Sequence, residues 1–438
     1  MTATVPGLTA PRKARKLRVA QRRTDTGLTV VVVRKPGVPL VEVRLRVPFQ
    51  SAAETHPARA ALLSDSLLTG AGSYDRAGLA AAVQALGADL SVGVDADRLM
   101  LSANVLATGL PQLLGLLAIV LTEPSFDRDE VATERDRLSE RLGIARSRPG
   151  VIASERLATR MWGQHPYALD LPQPDAVAAT TPAQLRRLHA DRVRPSGAVL
   201  VVVGDVSPQR VVDDTESALA GWTGKAPKPR MPALPTPQPG PLLIIDRPGS
   251  VQSSLRMGRA AIPRSDERYP ALQLANLIFG GYFSSRWTEN IREDKGYTYG
   301  PHSHVDHQVL GSTLSFDVEV ATEVTGPALL ETNYELGRIA SLPVTEEEVE
   351  AARQYAIGTL ALSTATQSGL ASTLAALAAF DLGLDWVLSH PGRLLATGVD
   401  EVSAAAATYF APSGLTAVIV GDATTITAPL AALGAIEE

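Results

Sequence analysis

No cysteine occurs among the 438 residues, which excludes disulfides, thiolate metal sites and a cysteine nucleophile. Long apolar runs are also missing. The longest, Leu113 to Leu121, is far short of the roughly 20 residues needed to cross a bilayer. The first thirty residues lack an apolar signal core, so a secretory leader is not expected and a cytoplasmic location is. The Ala- and Leu-rich stretch Leu360–Leu382 carries Thr, Ser, Gln and Asp and is expected as a buried amphipathic helix, not a span. Excess positive charge is absent as well, with a formal net charge of −5, so no general nucleic-acid affinity follows. The exception is local: seven of the twelve residues from Arg12 to Arg23 are Lys or Arg, a pattern of a solvated arm leading into a strand or of an anion-binding segment. Gly70-Ala71-Gly72 and Gly204-Asp205 lack the rest of a dinucleotide fingerprint, and no Ser-His-Asp set is identifiable by spacing.

What is present is a duplicated chain with enough apolar residues (45%) for a large core. Residues 225–240 hold six prolines and are expected as an extended linker between residues 1–224 and 241–438. Each half opens on β-branched residues broken by Pro-Gly, at Pro36-Gly37 and Pro248-Gly249, which predicts strand, turn, strand. Each continues into an apolar helical stretch, Ala60–Leu68 and Tyr269–Phe279. Near their ends Pro195-Ser196-Gly197 leads to Gly204-Asp205, and Pro412-Ser413-Gly414 to Gly421-Asp422. Two landmarks in the same order argue for duplication. Asp127 with Glu130, and Thr345 with Glu348, are N-terminal signals for long helices. Hairpins followed by runs of helices predict an α+β fold of two homologous domains, each a mainly antiparallel sheet covered by helices.

The segment Gly280–Gly300, GGYFSSRWTENIREDKGYTYG, and the matched landmarks give the chain a resemblance to the pitrilysin/insulysin-type peptidases, including mitochondrial processing peptidases and small bacterial homologues. It covers nearly the whole chain, from about Leu17 to Asp422. The resemblance implies one half of a clamshell. It also implies an inverted zinc motif, His-x-x-Glu-His, on a first-domain helix, with a further acidic ligand on a later helix. Here the motif positions hold Ala61, Ser64 and Asp65, and the later position falls at Arg141, with Glu140 adjacent. Alanine cannot ligate, serine is no general base at neutral pH, and a guanidinium repels a dication, so no metal or other cofactor is expected in this chain. The second-domain signature is intact by contrast. Arg292 and Tyr299 match the pair that, in the family, holds the substrate backbone and the oxygen that becomes negative, a role suited to two donors. Read without the resemblance, the same residues are an Arg at a helix end and a Tyr opening a strand.

Some bacterial members of the family work as two homologous chains, one with the zinc motif and one with the Arg/Tyr pair. The resemblance therefore implies a subunit that completes a zinc endopeptidase, with a homologous zinc-bearing partner and an extended peptide as substrate, and no nucleic acid or membrane. A non-catalytic scaffold or peptide-binding protein of the same fold is the alternative. His302, His304 and His307 form the one His cluster; a hydrogen-bonded strand face is expected, a metal site the rival. His165-Pro166-Tyr167 matches a family segment and is expected to be structural.

Overall fold

The computed structural model describes residues 17–169, 171–228 and 231–437. Residues 12–16 of the basic arm lie outside them. The rest of the arm enters strand β1 (Arg18–Arg23), where Arg22 pairs with Asp213 and Glu216, each at 2.8 Å.

Two six-stranded sheets carry the chain. In the first, β1 is followed by β2 (Thr29–Arg34), β3 (Leu40–Pro48), β4 (Asp89–Val94), β5 (Arg98–Leu106) and β6 (Val199–Gly204), in the spatial order β1-β2-β6-β3-β5-β4. The second holds β7 (Leu242–Asp246), β8 (Gln252–Ala261), β9 (His302–Gln308), β10 (Gly311–Ala321), β11 (Thr416–Gly421) and β12 (Ile436–Glu437), in the order β9-β10-β8-β11-β7-β12. Five strands of each sheet share one topology, which is the duplication expressed in three dimensions. The expected opening hairpins are not formed. The returning strand, β6 or β11, inserts between β2 and β3 or between β7 and β8, parallel to the earlier strand and antiparallel to the later one. The sequences explain this: TVVVVR and VLVVVG are apolar on both faces, as a central strand covered on both sides requires.

Helices α1 (His56–Ser66), α2 (Leu110–Thr122), α3 (Arg128–Arg146), α4 (Pro149–Trp162), α5 (Tyr269–Asn276), α6 (Thr325–Ser341), α7 (Glu346–Ser363), α8 (Gln367–Leu377) and α9 (Leu384–Ala396) pack around the sheets. The Asp127 carboxylate caps α3 through the Asp129 and Glu130 amides, and Thr345 with Glu348 forms the capping box of α7. Helix α2 contains the longest apolar run, and Leu113, Leu114, Leu117, Val120 and Leu121 are buried in the first core. Leu360–Leu382 is not one helix. It breaks after Ser363, and Thr366 caps a new helix, α8.

That break allows an exchange. Helix α8 belongs to the second half by sequence, yet Leu370, Ala371 and Leu374 pack on Val33, Val201 and Val203 of the first sheet. Arg44 of β3 holds Ser368 and Ser372 on the same helix. Reciprocally, α4 of the first half lays Ala153, Leu157 and Met161 on Val418 and Val420 of the second sheet. The His165-Pro166-Tyr167 segment serves the same tie. The Tyr167 hydroxyl donates to Asp97 at 2.6 Å and accepts from the Leu310 amide at 3.1 Å, joining the first half to the β9–β10 turn. Among the described residues no single helix is long and apolar enough to cross a membrane; α8 through Phe380 and α9 together pass by length and composition but are bent by 90°.

Candidate functional site

Arg292 and Tyr299 are brought together, on the border of the second sheet. Arg292 lies in a π-helical turn, Glu289–Asp294, following a second such turn at Leu277–Gly281. Wide turns of this kind are rare and recur at functional sites. Gly280 and Gly281 are required there by close approach: a Cβ would lie 2.9 Å from Ser303 Oγ at the first and 2.7 Å from Asn276 Nδ2 at the second. Between the turns, fully buried Trp287 donates to Thr332 at 2.9 Å, and Arg286 makes a two-pronged pair with Glu348 at 2.6 and 2.8 Å. Asn290 holds Glu331 and Glu335 of α6. Arg292 therefore projects from a clamped support.

Tyr299 sits on the loop between that turn and β9. The loop reverses at Gly296 (φ 65°), a left-handed conformation natural to glycine. Thr298 fastens it to the Glu319 carbonyl at 2.6 Å. The guanidinium carbon of Arg292 lies 4.4 Å from the Phe283 ring centre and 5.4 Å from that of Tyr299, within cation–π range. The patch faces solvent, with Tyr299 91% and Phe283 61% exposed. The sequence points to Arg292 and Tyr299 but not to Phe283 or the Arg286–Glu348 clamp beside them. Two consecutive aromatics beside Gly-Gly were the available signal.

A groove lined by Gln252, Tyr297, Thr298, Tyr299 and Glu319 adjoins the patch. Gln252 and Glu319 also line a larger cavity of about 1120 Å³ between the two halves. The polar side of β10 faces this space with Thr313, Ser315, Asp317 and Glu319, while Leu314, Phe316, Val318 and Val320 fill the core.

The degenerate motif lies elsewhere, on helices of the first half. Asp65 of α1 and Arg141 of α3 meet, with Oδ2 to Nη2 at 2.5 Å. Ala61, one turn before Asp65, packs against the first core, and Ser64 is buried. Burial holds the Asp65 carboxyl above the ordinary range, and Arg141 only partly offsets this. Asp65 and Arg141 thus come together, but the residues do not fit a metal site: a guanidinium pairs with the one carboxylate, and neither Ala61 nor Ser64 supplies an imidazole or carboxylate.

Nor do the histidines gather into a metal centre. His302 and His304 share a strand face with rings stacked at 5.2 Å, but His304 Nε2 is held by Asp306 at 2.9 Å. His307 points the other way, to Ser312 at 2.8 Å and the Tyr269 hydroxyl at 3.4 Å. Among the described residues no group of three or more His, Asp or Glu side chains is placed to hold a metal ion.

The sequence and fold are similar to those of known proteins. Residues 29–175 match the family described as Insulinase (Peptidase family M16), and residues 179–355 the Peptidase M16 inactive domain. An uncharacterized zinc protease of Mycobacterium tuberculosis is 25% identical over 81% of this chain and 83% of its own length. A probable inactive metalloprotease of Bacillus subtilis is 28% identical over 44% of this chain and 47% of its own. The crystal structure of a peptidase M16 inactive domain from Pseudomonas fluorescens superposes with a TM-score of 0.85 at 24% identity, covering 92% of this chain and 98% of that one.

Proposed function

Because the chain belongs to peptidase family M16, the insulinase-type peptidases, we propose that it is the zinc-free subunit of a two-chain zinc endopeptidase, acting in the cytoplasm on extended peptides. The observation that carries this reading is the patch of Arg292, Phe283 and Tyr299, a cation and two rings held on a clamped support and left open to solvent. A scaffold has no use for an exposed phenol beside a half-buried guanidinium. A peptidase subunit does: both groups are donors, and donors fixed before the reaction stabilise an oxygen as negative charge develops on it. In this reading the homologous partner contributes the metal, and this chain orients the peptide and holds its carbonyl oxygen.

Tyr299→Phe removes one hydroxyl and keeps the ring under Arg292. It is expected to slow cleavage by the assembled complex about 10²- to 10³-fold, as loss of one oxyanion donor does, with assembly on a sizing column unchanged. Unaltered turnover would remove the composite-site reading and leave the scaffold.

A further inference from the structure

The large cavity between the halves is lined by six carboxylates and five arginines. Its carboxylates are engaged. Asp95 accepts from Arg98 and from two backbone amides. Asp97 accepts from Gln50, Tyr167 and the Val309 amide. Asp317 and Glu319 share Arg256, Asp306 takes His304, and Glu155 takes Arg146. Two of its cations are different. Arg46 of β3 is 5% exposed, lines the cavity, and its Nε has no hydrogen-bond partner among the described residues. Arg264, from the segment between β8 and α5 on the other half, lines the same cavity and also leaves its Nε without a partner.

A buried guanidinium without an acceptor is costly, and such groups need a reason. Arg46 is not a structural feature of the repeat. Glu42 lies opposite Val203 and Ser254 opposite Val420, so four residues on, Arg46 corresponds to Gly258. At Gly258 a Cβ would be 3.0 Å from the Met161 sulfur of the exchanged helix α4. The second half therefore fills this point with a helix, and the first half places a cation there. Burial, and after it the charge of Arg98, holds the Arg46 guanidinium below its ordinary pKa, and the nearby carboxylates only partly offset this.

We propose that Arg46, with Arg264 across the cavity, forms a subsite for a carboxylate of a bound peptide. The planar fork of a guanidinium matches a carboxylate with two parallel hydrogen bonds. The charges acting on Arg46 include Asp95, Asp97 and Asp381 as well as Arg98, a surrounding that admits a single negative charge more readily than a dianion such as phosphate. The volume, about 1120 Å³, exceeds the roughly 300–1,000 Å³ of small-molecule pockets and suits a chain segment. The inference rests on the peptide-binding reading above and specifies which peptide end or side chain is favoured.

The test is calorimetric titration of the isolated full chain with an unstructured peptide of neutral side chains, as free acid and as C-terminal amide, and with inorganic phosphate. The free acid is expected to bind about ten-fold or more tighter than the amide, the size of one charge-assisted hydrogen bond. Arg46→Met should abolish that preference in a chain that still folds, since Arg46 Nε has no hydrogen-bond partner to lose among the described residues; a preference that survives the change would overturn the subsite. Should Arg46→Met fail to fold, Arg264→Gln decides, with loss of the preference expected and its persistence contrary. Equal binding of acid and amide by the unaltered chain overturns the proposal, as does binding of phosphate in place of the peptide acid. If equal binding is found while Tyr299→Phe still slows the complex, the carboxylate subsite alone is lost; if neither effect is seen, the peptidase reading falls with it.

Discussion

Acidification from pH 6.5 to 4.5 is expected to unfold the chain. His56, His189 and His390 are 7, 8 and 2% exposed, and burial pushes each imidazole down to about 4, while His307 is pushed to about 3. In the unfolded chain the same groups take up protons near pH 6.5. Below that pH the unfolded state binds more protons than the folded one, so stability falls as pH falls until the folded values are reached. At pH 5 each of the three groups pushed to about 4 costs about 2 kcal/mol by this linkage. Their sum is comparable to the whole stability of a typical domain, about 5–15 kcal/mol. Opposing contributions are fewer. Asp306 holds His304 above its ordinary pKa, and burial raises Asp65 and Asp317; these groups favour the folded state in acid. Urea unfolding followed by circular dichroism at a series of pH values measures the balance. A midpoint that stays level down to pH 4.5 would mean the histidines are not buried neutral.

Rebuilding the metal site is expected to succeed. The four changes Ala61→His, Ser64→Glu, Asp65→His and Arg141→Glu should give a chain that binds a single zinc ion. The geometry supports this. Ala61 and Asp65 are one turn apart on α1, so their side chains share a face. The Asp65–Arg141 contact at 2.5 Å shows that α1 and α3 bring side chains from these positions together. Two imidazoles and a carboxylate from such positions give the three-ligand set of a catalytic zinc. Loss of the ion pair costs little, about 0–1 kcal/mol, because Arg141 is half exposed. Metal content after dialysis, read beside a folding control, decides the matter. A folded variant without zinc would show that the two helices do not present these positions as a metal site.

What the sequence made legible follows from how local each signal is. Asp127 and Thr345 cap their helices through amides two or three residues away, so the pattern is readable within one turn. Arg292 and Tyr299 were identified through a resemblance to a segment, and their contact is also nearly local. The insertion of β6 between β2 and β3 was not legible, because the partners are more than 150 residues apart and Pro36-Gly37 mimics a hairpin turn. The exchange of α4 and α8 was hidden for the same reason: an apolar helix face does not record which sheet covers it. Arg46 gave no sequence signal. An arginine alternating with apolar residues on a strand usually faces water, and only the packed cavity shows that it does not.

The central claim is that this chain completes a metal site held by another. Native mass spectrometry of the protein purified at low expression from its own cells tests it most directly. The account predicts a heterodimer with a homologous chain that carries an intact inverted zinc motif, and one zinc per pair. A lone chain or a homodimer without metal would contradict it.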